Sequence, residues 1–402
     1  MRIGLFTDAY LPQISGVASS TALLQRALRE MGHLAYVITP SDPEQAENEM
    51  DVFRVPSLPF ISSKRLSFGV PPVLARQIKA LNLDIVHSQT EFGMGLYARQ
   101  ISKQLDIPHV HTFHTLYEDW LNDQVKAKEG GMYQKLTAWY VKHAARRYCN
   151  KSDYVIVPTQ KTKDVLLKYG VTTRTGIIPT GINLSAFREA RFDNDHIEEI
   201  RKSLGLNTDD TMLLYVGRVS REKRIDEIIT NLKDVLAARH DVHFVVVGDG
   251  PARNELVNYA YAAGIADRVH FTGAILWQDV PRYYAAADFF LSASQSETQG
   301  LTYIEAMAAG VPLFVREDPC LEDVVINGVN GYAYKDEASF AKTLDLLLNL
   351  NKNDYKLLSV GAQETAERYS VEHFASSVAS LYETLTIRRK SKSSSMKVAA
   401  IL

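Results

Sequence analysis

Two glutamates eight residues apart, Glu297 and Glu305, stand in the stretch Ser296-Glu297-Thr298-Gln299-Gly300-Leu301-Thr302-Tyr303-Ile304-Glu305-Ala306-Met307. Gly300 lets the backbone approach a ligand closely, and the pattern from Leu301 predicts a helix that stops at Gly310 before Pro312. The first amides of such a helix have no intrahelical partner and form a ready anion site. Carboxylates accept from hydroxyls, and helix amides take phosphate. Together they suit a ligand carrying both, such as a sugar nucleotide. A second set lies upstream in Gly217-Arg218-Val219-Ser220-Arg221-Glu222-Lys223-Arg224. Arg218 offers a planar fork and Lys223 a compact charge, a sound pair for a diphosphate. Spacing alone also fits a plain strand–loop–helix unit with solvated glutamates and a solvated basic loop.

A third set is rich in imidazole: His87, Glu91, His111 and His114. A metal reading is open to three histidines and a glutamate, but none has the close i,i+4 helical spacing of a zinc site. A strand histidine is also ordinarily a hydrogen-bonded packing residue. Asp193-Asn194-Asp195 looks like a metal-binding Asp-x-Asp. It immediately precedes the helical pattern from His196, where a helix cap is the simpler role. No metal is expected.

The elements that must position these groups follow from the apolar runs. Arg2–Thr7, His33–Thr39, Asp84–Gln89, Pro108–Thr115 and Asp153–Thr159 read as strands of a first series. Thr211–Val216, His243–Val247, Val269–Ala274, Phe289–Leu291 and Val311–Val315 read as a second. Ser19 or Ser20 is expected to cap a helix through Met31, and Ser370 to cap the last helix. Strand, helix, strand implies right-handed parallel units. Ligands of open α/β sheets lie at the carboxyl ends of the strands, so His87, Glu91, His111 and His114 are candidates for one crevice. Gly16, ahead of the first helix, is a candidate phosphate contact or a simple turn glycine.

With 402 residues, two domains are the prior, and the apolar and charged fractions, 46% and 23%, are those of an ordinary globular protein. Two distant cysteines, Cys149 and Cys320, argue against a disulfide framework and fit a reducing compartment. No basic-then-apolar leader and no run of 18 apolar residues is present, which points to a cytoplasmic protein. Residues 1–181 hold 21 Lys and Arg against 16 Asp and Glu, a net +5; the remainder hold 24 against 31, a net −7. A basic first half suits an anionic surface. The segment 59–74 and the helical pattern 132–148, with Lys135, Lys142, Arg146, Arg147, Trp139 and Tyr140, have the mixture that lies in a membrane interface. Packing within their own domain is the alternative for both.

Ser296-Glu297-Thr298-Gln299-Gly300-Leu301-Thr302-Tyr303-Ile304-Glu305-Ala306-Met307-Ala308-Ala309-Gly310-Val311-Pro312 closely resembles the donor-site signature of retaining glycosyltransferases of family four. Val110-His111-Thr112-Phe113-His114-Thr115-Leu116-Tyr117-Glu118-Asp119, with Gln89-Thr90-Glu91-Phe92, resembles a narrower group, bacterial enzymes that glucosylate diacylglycerol. The resemblance extends over nearly the whole chain. It implies the GT-B fold: two doubly wound α/β domains facing a cleft, with a C-terminal helix crossing back to the first. It places an acceptor and membrane-binding domain at 1–181, joined by a crossing helix near 370–388. A nucleotide-sugar domain follows at 182–369, with a polar tail at 389–402.

What the resemblance implies for the site is specific. The donor is UDP-glucose, the acceptor diacylglycerol, and the anomeric configuration is retained. Arg218, Lys223 and the helix start at Gly300, Leu301 and Thr302 would hold the diphosphate, together with Gly16. Glu305 would hold the ribose and Glu297 the sugar hydroxyls. His114, with Glu91 and His111 nearby, would orient the sugar or acceptor. The implied partners are the nucleotide sugar, a lipid acceptor and the anionic inner face of the membrane, with no nucleic acid. Another acceptor (a phosphoinositide, polyprenol or soluble sugar), a nucleotide-sugar epimerase and a non-catalytic regulator remain alternatives.

Overall fold

The structure, a computed structural model, describes the backbone of all residues except 14, 47–48, 60–64, 68, 115–130 and 400–402. Side chains are described for the same residues apart from 131–138 and 392–399. The chain divides into two compact units, Met1–Ile182 with Val371–Leu402, and Asn183–Ser370.

The first unit is built on a seven-stranded sheet: β1 (Arg2–Phe6), β2 (Leu34–Pro40), β3 (Val52–Val55), β6 (Ile85–Ser88), β7 (His109–Thr112), β8 (Tyr154–Val157) and β9 (Thr175–Ile177). A small antiparallel pair, β4 (Leu58–Pro59) and β5 (Arg65–Leu66), lies outside it. The order is β3-β2-β1-β6-β7-β8-β9, and each pairing is parallel. Alternation along the strands builds two cores. Ile3 and Leu5 of β1 pack on one face with Leu24 and Leu28 of the helix Gly16–Glu30. Phe6 packs on the other with Met94, Ala98 and Ile101 of the helix Gly93–Leu105.

Helix Val371–Ala399 belongs to this first unit although it ends the chain. Phe374, Val378 and Tyr382, spaced along one face, enter the same core as Ile3 and Leu5. Burying a phenylalanine in this way is worth about 2 kcal/mol over leaving it exposed. The polar run from Lys390, expected as a tail, continues the helix to Ala399.

The second unit carries a six-stranded parallel sheet of β10 (Thr211–Val216), β11 (Val242–Val247), β12 (Val269–Gly273), β13 (Phe289–Ser292), β14 (Leu313–Arg316) and β15 (Gly331–Tyr334), ordered β12-β11-β10-β13-β14-β15. The central strands β10, β11 and β13 are almost wholly buried, because helices cover both faces. In each sheet the strand order reverses once, between β1 and β6 and between β10 and β13. Loops leaving adjacent strands in opposite directions open a crevice at that point, which is where ligands of such sheets lie.

One local expectation needs correction. Ser15, not Ser19 or Ser20, caps the first helix, its side chain accepting from Ala18 N–H. The helix therefore starts at Gly16, one turn earlier than its apolar pattern signals. Thr90 and Glu91 lie on the loop before the helix Gly93–Leu105. At the other end of the prediction, Asp193 does cap the helix Asn194–Ser203 and accepts from His196 N–H.

Candidate functional site

In the second unit both loops at the reversal point carry the residues singled out by type. Arg218 stands two residues after the end of β10 and is exposed; Lys223 lies in the short 3-10 turn Arg221–Lys223. Glu297 sits on the loop after β13. The fold closes a separation of 74 residues: Lys223 Nζ donates to Glu297 Oε1 at 2.6 Å, both side chains about four-fifths buried. Arg218 is paired with Glu222, which also accepts from Ser220 Oγ at 2.5 Å. The Glu222 carboxyl lies below its usual range; burial opposes this, and the hydrogen bond from Ser220 and the charge of Arg218 prevail. Glu222 was not singled out by sequence, since one more acid in a charged loop carries no signal.

Gly300 is the N-cap of the helix Leu301–Ala308 at φ 71°, and a Cβ there would lie 2.2 Å from the Tyr303 ring. Both the left-handed backbone and the close ring require glycine. Leu301 and Thr302 are the first two helical residues and half-buried, so their amides are among those lacking an intrahelical carbonyl. Glu305, one turn on, is 5% exposed. It accepts from Tyr284 Oη at 2.8 Å, and burial raises its pKa to about 7, against a smaller lowering by that hydrogen bond. Expected to hold ribose hydroxyls, it is a nearly enclosed carboxyl bonded to a tyrosine of the helix Val280–Ala285.

In the first unit, the loops after β1 and β6 are tied together by Asp8. Asp8 N–H donates to Thr90 Oγ1 at 3.0 Å, and that hydroxyl donates to Asp8 Oδ2 at 2.5 Å. Asp8 Oδ1 accepts from Met94 N–H, capping the helix Gly93–Leu105 from outside its own segment. Burial raises the Asp8 carboxyl above its usual range, against these two hydrogen bonds. Gly16 begins its helix with open space where a Cβ would stand.

The imidazoles cluster as expected but divide by role. His111 is fully buried; its Nδ1 donates to the Ser88 carbonyl at 3.1 Å, and its Nε2 stands 3.4 Å from Glu91 Oε1. His114 Nε2 lies 2.8 Å from Gln89 Oε1, and burial, then the neighbouring His111, lowers its pKa to about 4. It is therefore neutral at physiological pH. His87 is a correction. It is fully buried, its ring nitrogens on Tyr382 Oη at 2.6 Å and Thr112 Oγ1 at 2.7 Å, so it braces the sheet rather than facing a ligand. The rest of the acceptor-side motif, Thr115 to Asp119, lies outside the described residues. Among those residues, no group of three His, Cys, Asp or Glu side chains is placed to hold a metal ion.

The residues of the second unit can neutralise a diphosphate (Arg218, Lys223) and accept from hydroxyls (Glu297, Glu305), and those of the first unit offer an uncharged imidazole (His114). Comparison with known proteins shows the family. Residues 14–186 match the family described as Glycosyltransferase Family 4, and residues 196–364 that described as Glycosyl transferases group 1. The chain is 37% identical over 388 residues to an alpha-monoglucosyldiacylglycerol synthase of Streptococcus pneumoniae, covering 95% of this chain and 85% of that protein. It is 32% identical to the enzyme of the same name from Acholeplasma laidlawii, covering 98% and 99%. Among solved structures, Alr3699/HepE of Anabaena in complex with UDP superposes with a TM-score of 0.72 at 19% identity, covering 96% of this chain and 100% of that one.

Proposed function

Because this chain belongs to glycosyltransferase family 4 and has the GT-B fold, we propose that it transfers glucose from UDP-glucose to diacylglycerol, with retention at the anomeric carbon. The observation that carries the donor half is the Lys223–Glu297 pair at the reversal point of the second sheet, with Arg218 on the same loop as Lys223. The acceptor half rests on relatives named for monoglucosyldiacylglycerol synthesis.

Arg218, Lys223 and the helix start at Gly300, Leu301 and Thr302 stabilise the departing diphosphate, with Gly16 as a further backbone contact. Removing one such charge-stabilising donor costs up to about 3–4 kcal/mol of transition-state stabilisation. Glu305 accepts from the ribose hydroxyls and Glu297 from those of the hexose. His114, beside Glu91 and His111, orients the sugar and the acceptor hydroxyl. The bond from C1 to the phosphate oxygen breaks as the bond from the diacylglycerol oxygen to C1 forms. The hydroxyl proton passes to the leaving diphosphate.

A lipid acceptor requires access to a membrane, and no described helix is long and apolar enough to cross one. The proposed partner is an anionic membrane surface facing the helix Gly131–Cys149. Trp139 and Tyr140 are exposed there, 59% and 66%, rather than packed in the core, and Lys142, Arg146 and Arg147 are exposed beside them. Arg147, then Arg99 and, more weakly, Lys103 lower the pKa of Lys151, so cations of two helices share one face. Arg65 is tied instead to Ser57, and Lys64 and Phe68 lie outside the described residues.

Thin-layer chromatography of products from radiolabelled UDP-glucose is the test. A monoglucosyldiacylglycerol spot, dependent on added diacylglycerol, is expected. Labelled product only with a soluble sugar, polyprenol or phosphoinositide would replace the acceptor. Conversion of the nucleotide sugar without any acceptor would replace transfer by epimerisation.

A further inference from the structure

Gln89 follows the last residue of β6, is 3% exposed, and lies between two histidines. On one side its Oε1 is 2.8 Å from His114 Nε2. On the other its Nε2 lies 3.2 and 3.3 Å from the two ring nitrogens of His87. Which end of the amide faces which ring is decided by His87. Each of its ring nitrogens already directs its in-plane proton or lone pair at a hydroxyl, Tyr382 Oη or Thr112 Oγ1. An amide oxygen set equally close to both nitrogens would meet no N–H and would be repelled by the remaining lone pair. An NH₂ group there is attracted to the ring's electron density. The amide oxygen therefore faces His114, and since it can only accept, His114 carries its proton on Nε2.

We propose that Gln89 is a positioning residue that fixes the tautomer of His114, leaving Nδ1 as a lone-pair acceptor for a hydroxyl of the sugar or of the incoming lipid. This rests on the assignment of His114 to the reaction site. The anchor of the arrangement is distant in sequence. Tyr382, fully buried on the helix Val371–Ala399, holds His87 across 295 residues. Its ring also meets the imidazole edge-on, with centroids 5.7 Å apart. Thr112, two residues before His114, holds the other nitrogen. The ionisable groups facing His114 are His111, which disfavours a positive charge on it, and Glu91, which favours one; burial outweighs Glu91. A neutral imbalance of one proton over two ring nitrogens is thus resolved by a single amide oxygen.

Gln89→Glu tests this with little change of shape. A carboxylate still accepts from Nε2–H but stabilises the imidazolium, whose Nδ1 then carries a proton and cannot accept. Relative to wild type at the same pH, its kcat/KM for UDP-glucose should fall about tenfold or more at pH 6.5 and return to within about threefold by pH 9. A purely structural loss would lower activity equally at all pH values. Independently, ¹⁵N-histidine NMR of the wild-type chain should show His114, identified by its disappearance in His114→Ala, protonated at Nε2 and bare at Nδ1. A proton found on Nδ1, or a Gln89→Glu profile parallel to wild type, overturns the role of Gln89. Wild-type turnover in His114→Ala would overturn instead the assignment of His114 to the reaction, and with it the purpose given to Gln89.

Discussion

Lys223 Nζ and Glu297 Oε1 are 2.6 Å apart, so the cation proposed for the diphosphate and the carboxylate proposed for the hexose neutralise each other. A carboxylate buried to about four-fifths would be costly without a charged partner, and so would the lysine. The pair holds both groups at the reversal point of the second sheet.

Substitutions should therefore separate by ligand. Lys223→Ala or Arg218→Ala should cut turnover about 10²-fold and weaken UDP itself, since a phosphate charge loses a donor. Glu297→Ala should cut turnover comparably yet bind UDP, which lacks the hexose, within about threefold of wild type. Calorimetric titration with UDP and with UDP-glucose measures the difference. Near-normal turnover in all three variants would remove these residues from the donor site.

Glu305 gives a pH dependence of defined sign. Its carboxyl is raised from 4.5 to about 7 by burial, so the folded state binds more protons than the unfolded chain between those values. Its contribution to stability is thus most favourable at low pH and declines as pH rises from 4.5 through about 7. Glu305→Gln, which mimics the protonated form, should raise Tm relative to wild type at pH 8 and leave it nearly unchanged at pH 4.5. A ribose donates its hydroxyls best to the ionised form, so UDP affinity of the wild type should weaken below pH 7 and release a proton on binding. The proton count follows from calorimetry in buffers of different ionisation enthalpy, and none should be released by Glu305→Gln.

The Asp193-Asn194-Asp195 triplet is used as a helix cap, Asp193 accepting from His196 N–H and lying 2.7 Å from His196 Nδ1. Asp193→Ala should lower Tm slightly and leave turnover intact, while Asp193→Asn keeps both. Glucosyl transfer should survive EDTA. Complete loss on chelation, restored by magnesium or manganese, would show that the leaving group needs a metal as well as Arg218 and Lys223.

Membrane attachment should be electrostatic and reversible. Co-sedimentation with vesicles rich in anionic lipid should weaken in about 0.5 M salt, where charges are screened within a few ångströms. It should also weaken when Arg99, Lys103, Lys142, Arg146 and Arg147 are changed together to Gln. Equal binding to neutral and anionic vesicles would refute this face.

Local chemistry was legible in the sequence by itself. Alternating apolar runs marked the strands, Asp193 before a helical pattern marked a cap, and Glu297, Gly300 and Glu305 marked a strand–loop–helix with anion-binding potential. Each of these depends on neighbours within a few residues, where backbone geometry fixes what can meet. The first cap was misread because Ser15, Ser19 and Ser20 are chemically equivalent caps, and only the path of the loop after β1 selects among them. The burial of Glu305 and its bond to Tyr284, the pairing of Lys223 with Glu297, and the line from Tyr382 through His87 and Gln89 to His114 were decided by tertiary structure. They join positions 21, 74 and 295 residues apart, and such contacts arise from the order of strands in the sheets and from a last helix that packs beside the first. Spacing along the chain carries no record of that order, so the residue types announce what chemistry is available while the fold assigns the partners and the protonation.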